Sequence, residues 1–537
     1  VAMSYCGYLI TTPVFPHRHY DVDGLQAMGT HTGYCAAVNG NPLVAVCRSV
    51  TGAIACRHIF RITGASNCLK VNFLTQGFST LLNNPQALLF ATFGVMLGIV
   101  IGALPGLTAT MGVAILLPFT YGMEPVSGLL MICGVFFGGV YGGSITAILL
   151  KIPGTPAAAA TAIDGYELTK QGKAGLALSA ATFSSFSGGT LSIIVLMFLS
   201  PVLASWALKF SASESFALAT FGLSIIASIS GESLIKGLIA GVGGLLIATI
   251  GLDPMGGFPR FTGGFVELMN VPFIPVMIGL FAASEAFRSM EQNQQIRQGA
   301  KVAIGSLLLP WQTLRRIALT ILRSSGLGVF IGMIPGAGAD IAAFVAYNET
   351  RRFSKTPENF GKGEIKAVAS CEAGANGCTG GALLPMLTLG IPGDAVTAIM
   401  LGALTLQGMQ PGPLMFTDHG DMVYTLFVGM IFCYFMLLVL GLLSLKVIGN
   451  VVKIPGNILT PMILALCVVG TYALNNSLFD VGIMLIAGVV GYFMQKGGYP
   501  ASPVVLALIM GPMAESNFRR ALSLSGGSLD FLYTRPI

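Results

Sequence analysis

Long apolar runs in this chain break twice at the same short signal, and that limits what it can fold into. The first run reaches Lys151 and passes at once into Ile152-Pro153-Gly154-Thr155-Pro156; small residues fill 157–161, and Asp164 follows. The second run carries Gly380-Gly381 and breaks at Gly390-Ile391-Pro392-Gly393-Asp394. Proline removes an amide donor and glycine loosens the backbone, so neither segment continues a helix smoothly. In hydrocarbon, a broken backbone persists only where protein or a watery cavity covers it. Each break is therefore expected to line a site, as in discontinuous transporter helices.

An earlier pair of stretches behaves alike. Gly98 leads through apolar residues to Pro105-Gly106, and Gly328 leads to Pro335-Gly336. Pro105 to Pro335 is 230 positions and Pro153 to Pro392 is 239; the difference of 9 fits a polar insert at 351–363 in the later copy. Two motifs in the same order at nearly the same offset argue for an internal duplication, with interrupted segments at matching points of both halves.

Composition sets the environment. Of 537 residues, 54% are hydrophobic and only 9% charged, with mean hydropathy +0.79. A soluble domain of this size would need far more charge, so the expectation is an all-α polytopic membrane protein with two internal repeats. Discontinuous or re-entrant helices are included, and spans number about 10–12 on ordinary span lengths. The net charge of +6 comes without a basic tract, so it fits cytoplasmic loops and not nucleic-acid binding. Five of the ten cysteines lie at or after Cys133 within or beside apolar segments, where they read as small hydrophobes.

Residues 1–70 differ from the rest. They hold four of the five histidines and five of the ten cysteines, with no CxxC spacing and no convincing span. They are expected to form an atypical extension, poorly ordered or derived from a misplaced start; no metal-ligand pattern is legible in them. The first membrane copy with its connecting helices is assigned to 71–300, and the second with the C-terminal helices to 301–537. Spans are expected at 86–104, 125–150, 174–207, 215–230, 234–252 and 271–287. In the second half they fall at 314–334, 367–389, 422–447, 458–474, 481–494 and 501–513. Short re-entrant pieces fall at 108–118 and 341–347, and a charged loop at 351–366.

Charges in apolar surroundings are costly and usually face a cavity. Those beside the breaks are Lys151, Asp164, Asp340, Glu372 and Asp394, with Thr108, Thr110, Ser144, Thr155 and Asn376 as neutral donors. Free amides at a half-helix N-terminus suit a carboxylate, and carbonyls or half-helix C-termini suit a cation. The candidate substrate and ion site comprises Pro105, Gly106, Thr108, Lys151, Pro153, Gly154, Thr155, Pro156, Asp164, Pro335, Gly336, Asp340, Glu372, Asn376, Pro392, Gly393 and Asp394. The two Ile-Pro-Gly breaks are expected to meet near mid-membrane. Neither HExxH nor GxSxG occurs, and Gly-Ile-Pro-Gly-Asp is one residue too long for an intramembrane aspartyl protease, so no enzyme is expected.

Taken together, these motifs resemble the large membrane subunit of the tripartite tricarboxylate transporters, the TctA family. The carrying stretches are Gly102 to Pro105-Gly106, Ile152 to Pro156 with Asp164-Gly165-Tyr166, Gly380 to Gly393 through Pro385, and Gln410-Pro411-Gly412-Pro413. The family often has two adjacent asparagines after the glutamate matching Glu372; here Asn376 matches and Ala375 departs. The resemblance implies a multi-pass permease of the bacterial inner membrane. It implies as partners a small membrane subunit of about four helices and a periplasmic solute-binding protein, with membrane lipid around them. Uptake of di- or tricarboxylates or related organic anions would be driven by a Na+ or H+ gradient, with no other cofactor. A stand-alone ion-coupled carboxylate carrier and an intramembrane hydrolase are the alternatives.

Overall fold

The broken runs become helices that stop where the sequence withdraws their backbone donors. Helix α1 (Pro85–Ala103) opens with Asn84 capping the Ala87 amide and a proline in its first turn, where a missing donor costs nothing. A short helix α2 (Ala109–Leu116) follows, capped by Thr108. Helix α3 (Pro125–Leu150) is capped by Glu124 and ends at Lys151, which takes the left-handed conformation at φ 60°. Helix α4 (Ala158–Lys170) starts inside the run of small residues, and α5 (Ala174–Ala207) is the longest helix described.

The computed structural model describes residues 76–104, 107–224, 233–253, 255–269, 271–291, 309–444, 456–530 and 532. The expectations for 1–70 and for Pro105 and Gly106 lie outside them. Beyond α5 come α6 (Ala212–Ser224) and α7 (Leu234–Ala248), then a two-stranded hairpin of β1 (Gly251–Leu252) and β2 (Pro259–Arg260). Helix α8 (Phe273–Glu291) contains a π-turn. The second half repeats a long-short-long order: α9 (Trp311–Met333), α10 (Gly338–Arg352), α11 (Ile365–Leu389) and α12 (Ala395–Leu406). Helices α13 (Gly420–Ser444), α14 (Gly456–Asn475), α15 (Leu478–Lys496) and α16 (Ser502–Leu524) close the chain.

The architecture is all-α and polytopic. Among the described residues seven helices are long and apolar enough to cross a membrane: α1, α3, α5, α8, α9, α13 and α15. Shorter apolar helices accompany them, including Leu234–Ala248 and Ala395–Leu406. Where a short piece was expected at 341–347, α10 runs from Gly338 to Arg352 and takes in Arg351 and Arg352. The reason is amphipathicity: Ala339, Ala342, Ala343, Ala346 and Tyr347 form a buried stripe, so the helix continues through polar residues.

Small residues set the packing. On α1, Gly98 and Gly102 lie against the carbonyls of Val135 and Gly139 on α3. On α9, Gly328 and Gly332 lie against those of Gly374 and Cys378 on α11. Any β-carbon there would meet backbone, so only glycine permits the approach. The order of these contacts makes α1 parallel to α3, and α9 parallel to α11. Helix α13 meets α3 in parallel, at Leu130 with Gly429 and Tyr141 with Gly441. It meets α5 antiparallel, at Gly189 with Tyr434 and Thr182 with Gly441. Helix α5 meets α11 in parallel, at Gly188 with Ala373 and Ser192 with Gly380. Helices α3 and α11 therefore run in opposite directions. Helix α3 is the most enclosed of the spans, its whole apolar window being buried.

Candidate functional site

Both breaks fold the chain back along the helix it has just left. After Lys151, Ile152 N–H donates to Thr146 O at 3.4 Å and Gly154 N–H to Gly143 O at 3.2 Å. Gly154 sits on Gly143 and on the Gly102 carbonyl of α1, with no room for a side chain. After Gly390, in the left-handed region at φ 71°, Ile391 N–H donates to Pro385 O at 3.3 Å, and Gly393 is pressed against Ala382. The Gly336 amide, from the turn between α9 and α10, donates to Gly393 O at 2.6 Å. Each return leg then starts a new short helix, α4 or α12.

The return legs meet at a cavity of about 370 Å³, lined by residues 108–110, 155–157, 336–341 and 394–396, with Phe136, Val140 and Ser502. Four helix N-termini open on it: α2 at Thr108, α4 at Ala157, α10 at Ala337 and α12 at Asp394. Thr108 Oγ1 accepts from Met111 N–H at 3.2 Å, and Asp394 Oδ1 from Thr397 N–H at 2.7 Å. Helices α4 and α10 have no side-chain cap; at α4 the amides of Ala158 and Ala159 donate back to Thr155 O and Pro156 O at 3.1 Å, while the first-turn amides of α10 are left for a ligand. Thr155 Oγ1 is buried and has no hydrogen-bond partner. No basic residue is among the described residues lining the cavity; its charged groups are Asp340 and Asp394. Each helix N-terminus carries roughly half a positive charge. The cavity thus offers an anion dipoles and amides, and offers a cation two carboxylates.

The structure brings Thr108, Thr155, Pro156, Gly336, Asp340 and Asp394 to the cavity wall. Gly154, Pro392 and Gly393 are buried at the breaks behind it, and Pro335 precedes the α10 turn. The others go elsewhere. Lys151 and Pro153 are exposed, and Lys151 Nζ lies 5.8 Å from the centre of the Tyr166 ring. Asp164 is buried within α4 and faces the turn before α11. Its carboxylate accepts from the amides of Gly361 (2.9 Å), Gly363 (2.8 Å) and Glu364 (2.8 Å), and from Tyr347 Oη (3.0 Å). Sequence reasoning passed over residues 337–339 and Ser502; the uncapped start after Pro335-Gly336 was the available signal for the former, and nothing local marks the latter.

Glu372 and Asn376 lie in α11, enclosed by helices. Glu372 Oε1 accepts from Ser144 Oγ and, at 2.6 Å, from Thr161 Oγ1; Oε2 accepts from Ser185 Oγ at 2.9 Å. Asn376 Nδ2 donates to Glu372 O at 3.2 Å, and its Oδ1 is buried without a partner. A separate crevice of about 480 Å³, between α7, α8 and α15, is lined almost wholly by aliphatic side chains and has nothing to hold an ion.

The chain matches the model of a family described as "Tripartite tricarboxylate transporter TctA family" over residues 88–506. It is similar to an "uncharacterized 52.8 kDa protein in TAR-I ttuC' 3'region" of Agrobacterium vitis, with 36% identity over 468 residues, covering 87% of this chain and 93% of the relative. A second A. vitis protein, from the TAR-II ttuC' 3'region, is 33% identical over 210 residues, or 39% of this chain and 87% of that one. No solved structure matches. A match that spans both broken segments and most of the helical core places the chain in the tripartite tricarboxylate transporter TctA family, as a multi-pass membrane component of a transporter.

Proposed function

We propose that this chain is the large permease subunit of a binding-protein-dependent secondary transporter that imports di- or tricarboxylates or related organic anions. In this reading the cavity between the two breaks is the substrate site. The observation that carries it is the convergence of four helix N-termini on one cavity that has no basic side chain among its described residues. Dipoles and free amides hold carboxylates without the deep Coulombic trap of a buried lysine. Asp340, exposed on the cavity wall, gives a Na+ or H+ a place beside the bound anion, so a cation gradient can drive uptake.

The two halves, 71–300 and 301–537, are read as copies of one unit in opposite orientations. Support comes from matched contacts at constant offsets: Gly154 on Gly143 against Gly393 on Ala382, 239 positions on, with α3 and α11 antiparallel. Such a pair can expose a shared site to each face of the membrane in turn. The last turn of α10 with Arg351 and Arg352, the α10–α11 loop with Lys355 and Lys362, and Lys170 and Lys173 lie at one end of the bundle, tied by Gln171 Nε2 donating to Lys362 O at 2.8 Å. By the positive-inside rule that end is cytoplasmic, in a bacterial inner membrane. A small membrane subunit and a periplasmic binding protein complete the system.

The test is binding of radiolabelled citrate to the detergent-solubilised protein, comparing Thr155→Val with wild type. Thr155 Oγ1 has no protein partner to lose, so stability should hold. A lost bond to a charged ligand, about 1.5 kcal/mol, weakens binding roughly tenfold. Unchanged affinity for a bound carboxylate would remove Thr155, and with it this cavity, from the site.

A further inference from the structure

We propose that Glu372 is a proton-binding site of the transport cycle, separate from the cavity and one helical turn beneath it. The word "transport" rests on the function proposed above; the proton site itself stands on the packing around Glu372.

The side chain is 1% exposed, and its partners Ser144, Thr161 and Ser185 are 2%, 1% and 0% exposed. All three are hydroxyls, donated by three different helices, α3, α4 and α5. Few titratable groups face the site, and each lies on one of the helices packed around it. Helix α3 presents Tyr141, bonded to Thr182. Helix α4 presents Asp164, already held by amides and Tyr347 of α10. Helix α11 itself presents Cys371, and α13 presents Tyr434, which meets Asn376 O at 3.4 Å. No lysine, arginine or histidine is among these groups. A carboxylate this enclosed, with no counter-charge, is strongly disfavoured in a membrane. A carboxylic acid is not: it donates its own proton to one hydroxyl and accepts from the others, because each hydroxyl can serve in either sense.

Spacing favours a proton over a metal cation. A hard cation such as calcium gathers about six oxygens around a central void. Here the two carboxylate oxygens and three hydroxyls already bond one another at 2.6 and 2.9 Å, with Ser144 closer still, and an O–H···O bond needs only the proton between them.

The site is wired to the cavity and to both halves of the chain. Thr161 lies four residues after Ala157 on α4, hence on the same helix face, and Ala157 lines the cavity. Ser144 follows Gly143, which Thr155 and Gly154 cover. Ser144 and Thr161 belong to the first half and Glu372 to the second. Protonation, a simple addition of H+ to the carboxylate, completes the bonds between the halves. Loss of that proton places an uncompensated charge at their junction, so loading the site and docking the halves are one event.

Infrared difference spectroscopy of the purified full-length protein tests this without any substrate. Wild type should show the carbonyl band of a buried protonated carboxyl at neutral pH, and Glu372→Gln should lose it completely. Absence of the band in wild type, its persistence in Glu372→Gln, or its removal by Na+ at fixed pH would each overturn the proposal. If Glu372→Gln does not fold, Ser185→Ala decides: losing one bond to Oε2 should shift the band, and an unshifted band also overturns it. Failure of citrate binding leaves this result untouched, so the two readings fail separately.

Discussion

Replacing Asp164 should loosen the end of the bundle that carries the α10–α11 loop without touching the cavity. Its carboxylate gathers three backbone amides, from Gly361, Gly363 and Glu364, and the Tyr347 hydroxyl at 2.8–3.0 Å. These bonds fasten the loop before α11 to α4 across 197–200 positions of sequence, and Tyr347 of α10 to α4 across 183. Each bond to a charged group is worth about 1.5–3 kcal/mol net, but bonds sharing one carboxylate are not additive. Removing the carboxylate leaves buried donors unsatisfied at about 1–3 kcal/mol each, so a loss of about 3–5 kcal/mol is expected for Asp164→Ala. Asp164→Asn keeps one acceptor oxygen but turns an NH2 group toward the amides, so a loss of about 2–3 kcal/mol is expected. Two assays report on it. Thermal unfolding in detergent should fall in the order wild type, Asn, Ala. Hydrogen exchange at 361–364 should speed by roughly tenfold for each 1.4 kcal/mol lost locally. If Asp164→Ala leaves both unchanged yet abolishes citrate binding, the carboxylate serves the ligand and the anchoring argument is wrong.

Gly154→Leu and Gly393→Leu should each abolish citrate uptake and lower stability. A β-carbon at 154 runs into the Gly102 carbonyl and one at 393 into Ala382, and overpacking costs about 1–3 kcal/mol or more; uptake by cells at matched expression checks it, and normal uptake by both variants would move the site elsewhere. Acid should release the β1–β2 hairpin from α16. The Gly256 amide, then the Arg519 and Arg260 guanidiniums, hold the Asp253 carboxyl below the usual carboxylate range. Because that value is lowered on folding, its stabilisation is present above the ordinary value of about 4 and is lost as pH falls through the lower folded one. Exchange of the Gly256 amide against pH measures this, and Asp253→Asn should show fast exchange at every pH.

Local properties of the chain determined the class, the breaks and the family. Hydropathy and the scarcity of charge dictate apolar helices, and Pro-Gly signals end α3 and α11 at Leu150 and Leu389 because amide donors are missing there whatever surrounds them. The same logic marked Thr155, Asp340 and Asp394 as residues beside a break, and they line the cavity. Partnership across the chain was not legible. Asp164 reads in sequence as one more acid beside a break, but the loop at 361–364 claims it. Lys151 reads as a cation near a site, but its left-handed turn leaves it exposed beside Tyr166. The opposed directions of α3 and α11, the meeting of four helix N-termini and the hydroxyl shell of Glu372 were decided only by tertiary structure. Backbone and side-chain groups 187–228 residues apart find each other because a membrane interior leaves no water to satisfy them, and no local pattern records which partner they find.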